Sequence, residues 1–499
     1  MQTTAYQWTP LIVMHAAFAA TALLLGVQLL WRRKGSTAHR RLGWLWVLLM
    51  AAVALSSFGI YRERFSWIHG LSVLTLASLA YGVWHARRHQ VHHHRFTMLS
   101  LFFGALVITG LFTLLPQRLI GQALWAGAAS STPAPSAVAA MSAEARIGEK
   151  AFNEVMLSAS GKQSCASCHA PHTGHAAPNA LAVQPGGAAL DRQGLRNSQP
   201  LRYLARNTPF HFNDEGKAIG GFFWDGRADT LARQAEGPLL GEREMGNRSR
   251  AEVVTRLAQT AWAGEFRQVF GAGILQDAER AFERLTFALE RYQIEDESFN
   301  GYSSKFDAYL RGQVQLSAQE QRGLQWFNDA RKGNCAACHV SEKDKDGRHP
   351  VFTDFSYDNL GVPRHAAIAD NRDPKFFDLG LCGRAELRQR ADLCGAFRVP
   401  SLRNVALRQA YFHNGRYTSL REVMEFYVQR DTDPAKWYPR GPDGVVRKFD
   451  DLPRRHHGNV NTSEVPYDRQ RGQSPALNDA EIDDVIAFLR TLTDGWRPN

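Results

Sequence analysis

The chain has 499 residues, 44% of them hydrophobic and 21% charged, with a formal net charge of +11. Such a length can bury a large core without disulfide staples and allows several domains, and the ordinary charge content with 28 Phe excludes global disorder. The basic excess is local: residues 1–125 carry eleven Lys/Arg and one acid, Glu63, whereas 126–499 carry 48 bases and 47 acids, a distribution that gives nucleic-acid binding no support.

Four apolar runs come first in chain order, about Leu11–Trp31, Leu42–Ile60, Trp67–Trp84 and Phe96–Leu115. Each has the ~20-residue length of a bilayer-spanning helix, and none has a charged residue in its interior. The first lacks a basic leader and is followed by three more, so it reads as a span rather than a cleaved signal. The connecting loops orient the set. The first loop (Arg32, Arg33, Lys34, Arg40, Arg41) and the third (Arg87, Arg88, Arg95) hold bases and no acid, whereas the second (Arg62, Glu63, Arg64) is nearly neutral. The positive-inside rule makes loops one and three cytoplasmic. Four spans of the inner membrane then leave both termini outside, which in a Gram-negative cell is the periplasm.

Eight of the 18 His fall in this quarter. His15 and His69 sit near the outer ends of their helices, and His39 and His94 near the inner ends. Paired His at matching depth are a reading for b-type haem and a quinol-oxidising electron feed; a plain anchor is the other. The four-helix part also resembles an uncharacterised family of small bacterial membrane proteins. Residues 126–140 (AGAASSTPAPSAVAA) have no charge and no apolar period and read as a tether.

Beyond the tether stand six cysteines. Cys165-Ala-Ser-Cys168-His169 and Cys335-Ala-Ala-Cys338-His339 are two C-x-x-C-H motifs. That spacing places two thiols for thioether bonds to haem vinyl groups and an adjacent imidazole for the iron, so two covalent haem c groups are expected. Cys382 and Cys394 lack this spacing; a disulfide closing a short loop fits an oxidising compartment, and a metal site is the alternative. Helical periodicity continues over Arg250–Phe270, Glu279–Arg291, Ala318–Asn328 and Asn478–Leu492, with capping-box patterns at Ser317/Glu320 and Ser419/Glu422. β-Alternation is scarce. The expected fold is mainly α: a four-helix transmembrane domain (1–120), a linker (121–142), and two cytochrome c-like helical lobes (143–310 and 311–499).

Further motifs carry a resemblance. Phe223-Trp224-Asp225-Gly226-Arg227-Ala228 runs on to Gln234, Gly237-Pro238 and Glu244-Met245; Val399-Pro400-Ser401-Leu402-Arg403-Asn404-Val405-Ala406, Tyr411-Phe412-His413-Asn414-Gly415 and Arg196-Asn197-Ser198 follow. Together they make residues 143–499 similar to the bacterial dihaem cytochrome c peroxidase superfamily, which includes MauG. The resemblance implies that Cys165, Cys168 and His169 hold a peroxidatic haem. Gln234 and Glu244 then lie on its distal side, with Glu244 as the acid/base, and Trp224 relays electrons between the haems. Cys335, Cys338 and His339 then hold the electron-transfer haem. It also implies a calcium ion near Asn197, although the two carbonyl-donating positions before His413 are Arg408 and Ala410 here, where the family usually has Thr and Pro.

Two departures shape the expected chemistry. Where many family peroxidases carry a distal His, this chain has Pro185; nearby His172 and His175 do not fit that pattern and are read as loop residues. An open iron at the first haem follows. Where the typical peroxidase has a Met ligand to the second haem, this chain has Tyr427, as MauG does, with Met424 one turn earlier as the alternative. An anionic phenolate favours ferric iron, a thioether ferrous iron. The expected function is reduction of hydrogen peroxide with electrons from a small cytochrome c, a cupredoxin or quinol. The alternatives are MauG-like oxidation of residues of a partner protein and non-enzymatic electron transfer.

Overall fold

The computed structural model describes residues 10–32, 34–60, 67–108 and 141–498. The second loop, the end of the fourth apolar run and the tether lie outside them. The protein is mainly helical, and among the described residues its strands form three two-residue antiparallel ladders. The chain divides into two compact units, Met1–Val138 and Ala139–Asn499.

The first unit holds α1 (Pro10–Trp31), α2 (Thr37–Ile60), α3 (Trp67–Arg87) and α4 (Val91–Ser100), the last continuing as wider π-type turns over Leu101–Ile108. Lys34 caps the end of α1 by donating to the Leu29 carbonyl at 2.6 Å and the Leu30 carbonyl at 2.9 Å. The helices meet through small residues. A Cβ on Gly26 would lie 2.5 Å from the Phe102 ring, and one on Gly82 would lie 2.1 Å from the Met98 methyl. Trp46 Nε1 donates to the Ala22 carbonyl at 2.9 Å, and Ala22, Trp46, Met50, Leu79 and Phe102 form the core. Two segments, Val13–Trp31 and Thr37–Gly59, are long and apolar enough to cross a membrane by length and composition. Leu24, Leu48, Leu55 and Leu74 are more than half exposed, an outward apolar surface that extends onto α3.

The two largest hydrophobic cores of the second unit each rest on a pair of crossed helices. In the first, α5 (Ala143–Asn153) crosses α8 (Ala278–Glu295), flanked by α6 (Leu231–Leu240) and α7 (Arg250–Leu257). In the second, which begins at Phe306, α9 (Ala318–Asn328) crosses α11 (Asp479–Arg490), with α10 (Leu420–Gln429) beside them. Both crossings are made at a glycine. A Cβ on Gly148 would lie 2.0 Å from the Ala288 carbonyl oxygen, and one on Gly323 would lie 1.9 Å from that of Asp484. In each case a buried Phe follows four residues later, Phe152 and Phe327, so one helix-crossing plan is used twice.

Ser317 and Glu320 form a complete capping box on α9. At α10 the Ser419 hydroxyl accepts from Glu422 N, but the Glu422 carboxylate turns to Thr418 N at 3.1 Å instead of closing the box. The periodic stretch Arg250–Phe270 is two helices rather than one. Thr260 bonds back to the Leu257 carbonyl through its hydroxyl at 2.8 Å, ending α7, and a separate helix starts at Ala263. Cys382 and Cys394 are joined by a disulfide.

Arg403 and Asp307 form a fully buried ion pair, with two bonds of 2.8 Å. His349 and Ser304 supply further bonds to Asp307, at 2.6 Å each. These partners hold the Asp307 carboxyl well below the usual carboxylate range against the cost of burial. Asp307→Ala is expected to cost about 3–5 kcal/mol, because it strands a buried guanidinium. A urea titration of the holoprotein checks this; a shift no larger than that of an exposed-residue control would contradict it. The depressed carboxyl also makes this contribution fade only as pH falls through its low folded-state pKa.

Candidate haem sites

A one-turn helix, Cys165–Cys168, opens the first site; Ser164 and Ser167 cap it reciprocally. His169 follows, and its Nδ1 faces the Gln199 carbonyl at 2.9 Å and that of His175 at 3.3 Å. These acceptors assign the ring proton to Nδ1 and leave the Nε2 lone pair free, the arrangement of an imidazole that ligates a metal. Burial lowers the His169 pKa to about 4, so the ring is neutral. Cys165 and Cys168 are unpaired thiols; burial pushes Cys165 up to about 12 and raises Cys168.

All three residues line a cleft of about 1960 Å³, open mouth included, together with Gln234, Glu244 and Trp224. Gln234 projects from α6, which starts at the Thr230 cap. Glu244 follows the sharp exit from α6, where Gly241 leaves room; a Cβ on Gly241 would lie 2.7 Å from the Glu244 carboxylate. That carboxylate accepts no hydrogen bond from the described residues, and its free surface is cavity wall. Burial raises its pKa, with Arg227 pulling in the other direction. Pro185 also lines the cleft, and the turn after it binds the Glu244 segment: Gly187 N donates to the Glu244 carbonyl at 2.7 Å. Among the described residues His169 is the only histidine lining this cleft. His175 is fully buried, stacked on Phe299 with centroids 3.9 Å apart, and His172 is exposed.

The second site repeats the plan. Cys335 and Cys338 are unpaired thiols pushed up to about 12 by burial. His339 Nδ1 faces the Phe352 carbonyl at 2.9 Å, again freeing Nε2. They line a cavity of about 1660 Å³ that also receives Tyr427 and Met424 from α10. Met424 is 6% exposed and belongs to the packed core, whereas Tyr427 keeps open surface against the cavity. The Tyr427 ring lies 5.8 Å from Tyr467 and 5.7 Å from Phe412. In both sites two unpaired thiols, an imidazole oriented by its second nitrogen and a large cavity fit a covalently attached haem.

Trp224 is buried and lines both cavities. Its Nε1 donates to the Asn197 carbonyl at 2.8 Å, and its own carbonyl accepts from Arg398 N at 2.9 Å. Arg196 ties the same region together, bonding Asp225 at 2.7 Å on one side and Asp378 at 2.7 Å on the other. The expected calcium position does not fit calcium. The Arg408 guanidinium donates to Asn197 Oδ1 at 2.6 Å and to the Ala410 carbonyl at 3.2 Å. The sequence motif marks Arg408 only as a carbonyl donor. Its side-chain contact with Asn197 spans 211 positions and has no local signal.

In the first unit, His15 Nδ1 meets the Ser56 hydroxyl at 2.8 Å, and His94 Nδ1 donates to the Gly82 carbonyl at 3.0 Å. His69 stacks on Phe58 at 5.4 Å, and His39 lies within electrostatic range of His94.

Comparison with known proteins agrees with this geometry. A family model described as di-haem cytochrome c peroxidase matches residues 142–315. The methylamine utilization protein MauG of Paracoccus denitrificans is 35% identical over 381 residues, covering 74% of this chain and 91% of that protein. Cytochrome c peroxidase Ccp of Escherichia coli is 28% identical over 374 residues, covering 73% of this chain and 61% of that protein. The crystal structure of the diheme peroxidase BthA from Burkholderia thailandensis superposes with a TM-score of 0.65 at 40% identity, covering 70% of this chain and 86% of that one.

Proposed function

The chain belongs to the di-haem cytochrome c peroxidase and MauG family of oxidoreductases, and from that premise we propose that it is a membrane-tethered periplasmic peroxidase that reduces hydrogen peroxide to water. The observation that carries the reading is the first cleft. It combines a metal-ready His169, no second histidine among the described residues, and a carboxylate at Glu244 that accepts no hydrogen bond from them and faces the cleft.

Cys165, Cys168 and His169 would hold one haem, and Cys335, Cys338, His339 and Tyr427 the other; when bound, the haems would supply iron for peroxide and a place to keep electrons. The chain does the rest. With haem bound, Glu244 as carboxylate would take a proton from one peroxide oxygen and return it to the other, which would leave as water, and the remaining oxygen would leave as a second water with two electrons from the donor and two protons from solvent. Gln234 orients the peroxide by hydrogen bonding. Trp224, lining both cavities and fixed at its Nε1 and its carbonyl, is the relay between them. For Tyr427 over Met424, the support is exposure: both line the cavity, but Met424 is 6% exposed within the packed core, whereas Tyr427 keeps more open surface.

In this reading, four spans with loops one and three inside would put the catalytic unit in the periplasm, where the Cys382–Cys394 disulfide is chemically at home. The electron donor is then a small cytochrome, a cupredoxin or membrane quinol. The feed through b-type haem at His15/His69 and His39/His94 has weaker support, because His15 and His94 already bond within the helices. A second reading, oxidation of residues of a partner protein, is favoured by Tyr427 and by the 35% identity to MauG.

The spin state of the oxidised holoprotein, followed by stopped-flow addition of peroxide with and without quinol, tests this. One high-spin haem, a fast reaction with peroxide, and recovery of the starting spectrum on adding donor are expected. A wholly low-spin protein inert to peroxide would refute both enzyme readings.

A further inference from the structure

Three oxygens from two lobes converge beside Trp224: the side-chain oxygen of Asn197 and the carbonyls of Arg408 and Ala410. In the structure each already accepts from the protein. Asn197 Oδ1 takes Arg408 Nη2 at 2.6 Å. The Ala410 carbonyl takes the same nitrogen at 3.2 Å and Arg408 Nε at 3.3 Å. The Arg408 carbonyl takes the Tyr411 hydroxyl at 2.8 Å. The rest of Asn197 is equally engaged. Its N–H donates to the His413 carbonyl at 2.7 Å, its Nδ2 donates to the Ala182 carbonyl at 3.0 Å, and its carbonyl receives Trp224 Nε1 at 2.8 Å.

A calcium ion requires six to eight oxygens within about 2.3–2.6 Å, commonly including carboxylates. Among the described residues no group of three or more His, Cys, Asp or Glu is placed to hold a metal ion. The Arg408 guanidinium makes no ion pair among the described residues, so its partners are neutral oxygens of the kind a metal ion would take. A guanidinium stays charged at neutral pH even when buried.

We propose that Arg408 is a built-in cation: its guanidinium binds Asn197 Oδ1 and the Ala410 carbonyl, bridges the two lobes beside Trp224, and replaces an interhaem calcium ion, so that this protein binds none there. The Arg408 side chain then fixes Asn197, and Asn197 fixes Trp224, without dependence on an external ion. Arg408 is a positioning residue in this arrangement.

The full-length holoprotein in detergent, equilibrated with calcium and gel-filtered, is assayed for metal by mass spectrometry. Its thermal midpoint and low-temperature haem spectra are recorded before and after EGTA. The expected result is calcium far below one ion per chain and no change with EGTA. One tightly held calcium per chain, removed by EGTA with a change in the haem spectra, would overturn the proposal. Arg408→Thr, which vacates the guanidinium volume and restores the residue usual in the family, is expected to take up one calcium per chain and to acquire a midpoint that drops with EGTA. A folded Arg408→Thr protein that neither takes up calcium nor loses stability would also overturn it, since Arg408 would then not be doing a cation's work. If that variant does not fold, the wild-type measurements decide.

Discussion

Replacing Glu244 with Gln is expected to lower kcat/KM for peroxide by roughly 10²–10⁴-fold, the range typical of losing a positioned general acid–base group. Both haems should stay attached, because the thioether anchors Cys165, Cys168, Cys335 and Cys338 are unchanged. Amide replaces carboxylate at nearly equal volume, so the shape of the cleft is kept while proton acceptance is lost. The pH profile gives a second reading of the same group. Burial raises the Glu244 pKa, and the reaction needs the deprotonated form. Activity of the wild type should therefore fall on acidification with a midpoint above the ordinary carboxylate range, and that acidic limb should vanish in Glu244→Gln. Stability should move the other way. A carboxyl whose folded-state pKa is raised stabilises the fold fully only below its unfolded-state pKa, and this contribution is lost as pH rises through the folded-state value. The amide escapes this loss, so Glu244→Gln should be at least as stable as wild type at neutral pH. A slow but less stable variant would point to a damaged cleft rather than a missing base.

Some parts of this site are local in sequence and were legible there. Covalent attachment needs two thiols and an imidazole in a fixed five-residue frame, so Cys165–His169 and Cys335–His339 announce themselves. Glu244 and Gln234 have no such frame. Only their offset from Phe223-Trp224-Asp225-Gly226-Arg227-Ala228 marks them, and the cleft shows why: α6 and the turn at Gly241 convert that offset into a shared wall. The apolar runs were legible because bilayer length is written directly in composition. The break in Arg250–Phe270 was hidden, since the apolar period runs through it and a single hydroxyl, Thr260, ends the helix. The paired crossings at Gly148 and Gly323 were also hidden, because a glycine inside a helix carries no sign of the backbone that approaches it. Arg408 was hidden most thoroughly, since its partner lies in the other lobe.

Tyr427→Met is the substitution with the largest expected effect on the second haem. Exchanging an anionic oxygen ligand for a thioether stabilises ferrous over ferric iron, and axial ligands span about 0.8 V across haem proteins. A rise in potential on the order of 100 mV or more is expected in a redox titration. The position supports the exchange: Tyr427 lies on α10 facing the cavity that holds His339, between Phe412 and Tyr467. Met424, one turn earlier, is more deeply packed in the core, and Met424→Leu should leave the potential unchanged. The opposite pattern, an unmoved potential in Tyr427→Met and a large shift in Met424→Leu, would assign the ligand to Met424. The same variant also separates the two functional readings. A raised potential makes the second haem a better acceptor from a reduced donor and a poorer place to keep oxidising equivalents. If the protein reduces peroxide with external electrons, Tyr427→Met retains turnover with reduced cytochrome or quinol. If it oxidises residues of a partner protein, the peroxide-oxidised state should decay faster in the absence of donor, and partner oxidation should be lost. Stopped-flow decay of that state, compared between wild type and Tyr427→Met, therefore discriminates between the readings with one ligand changed and the peroxide cleft untouched.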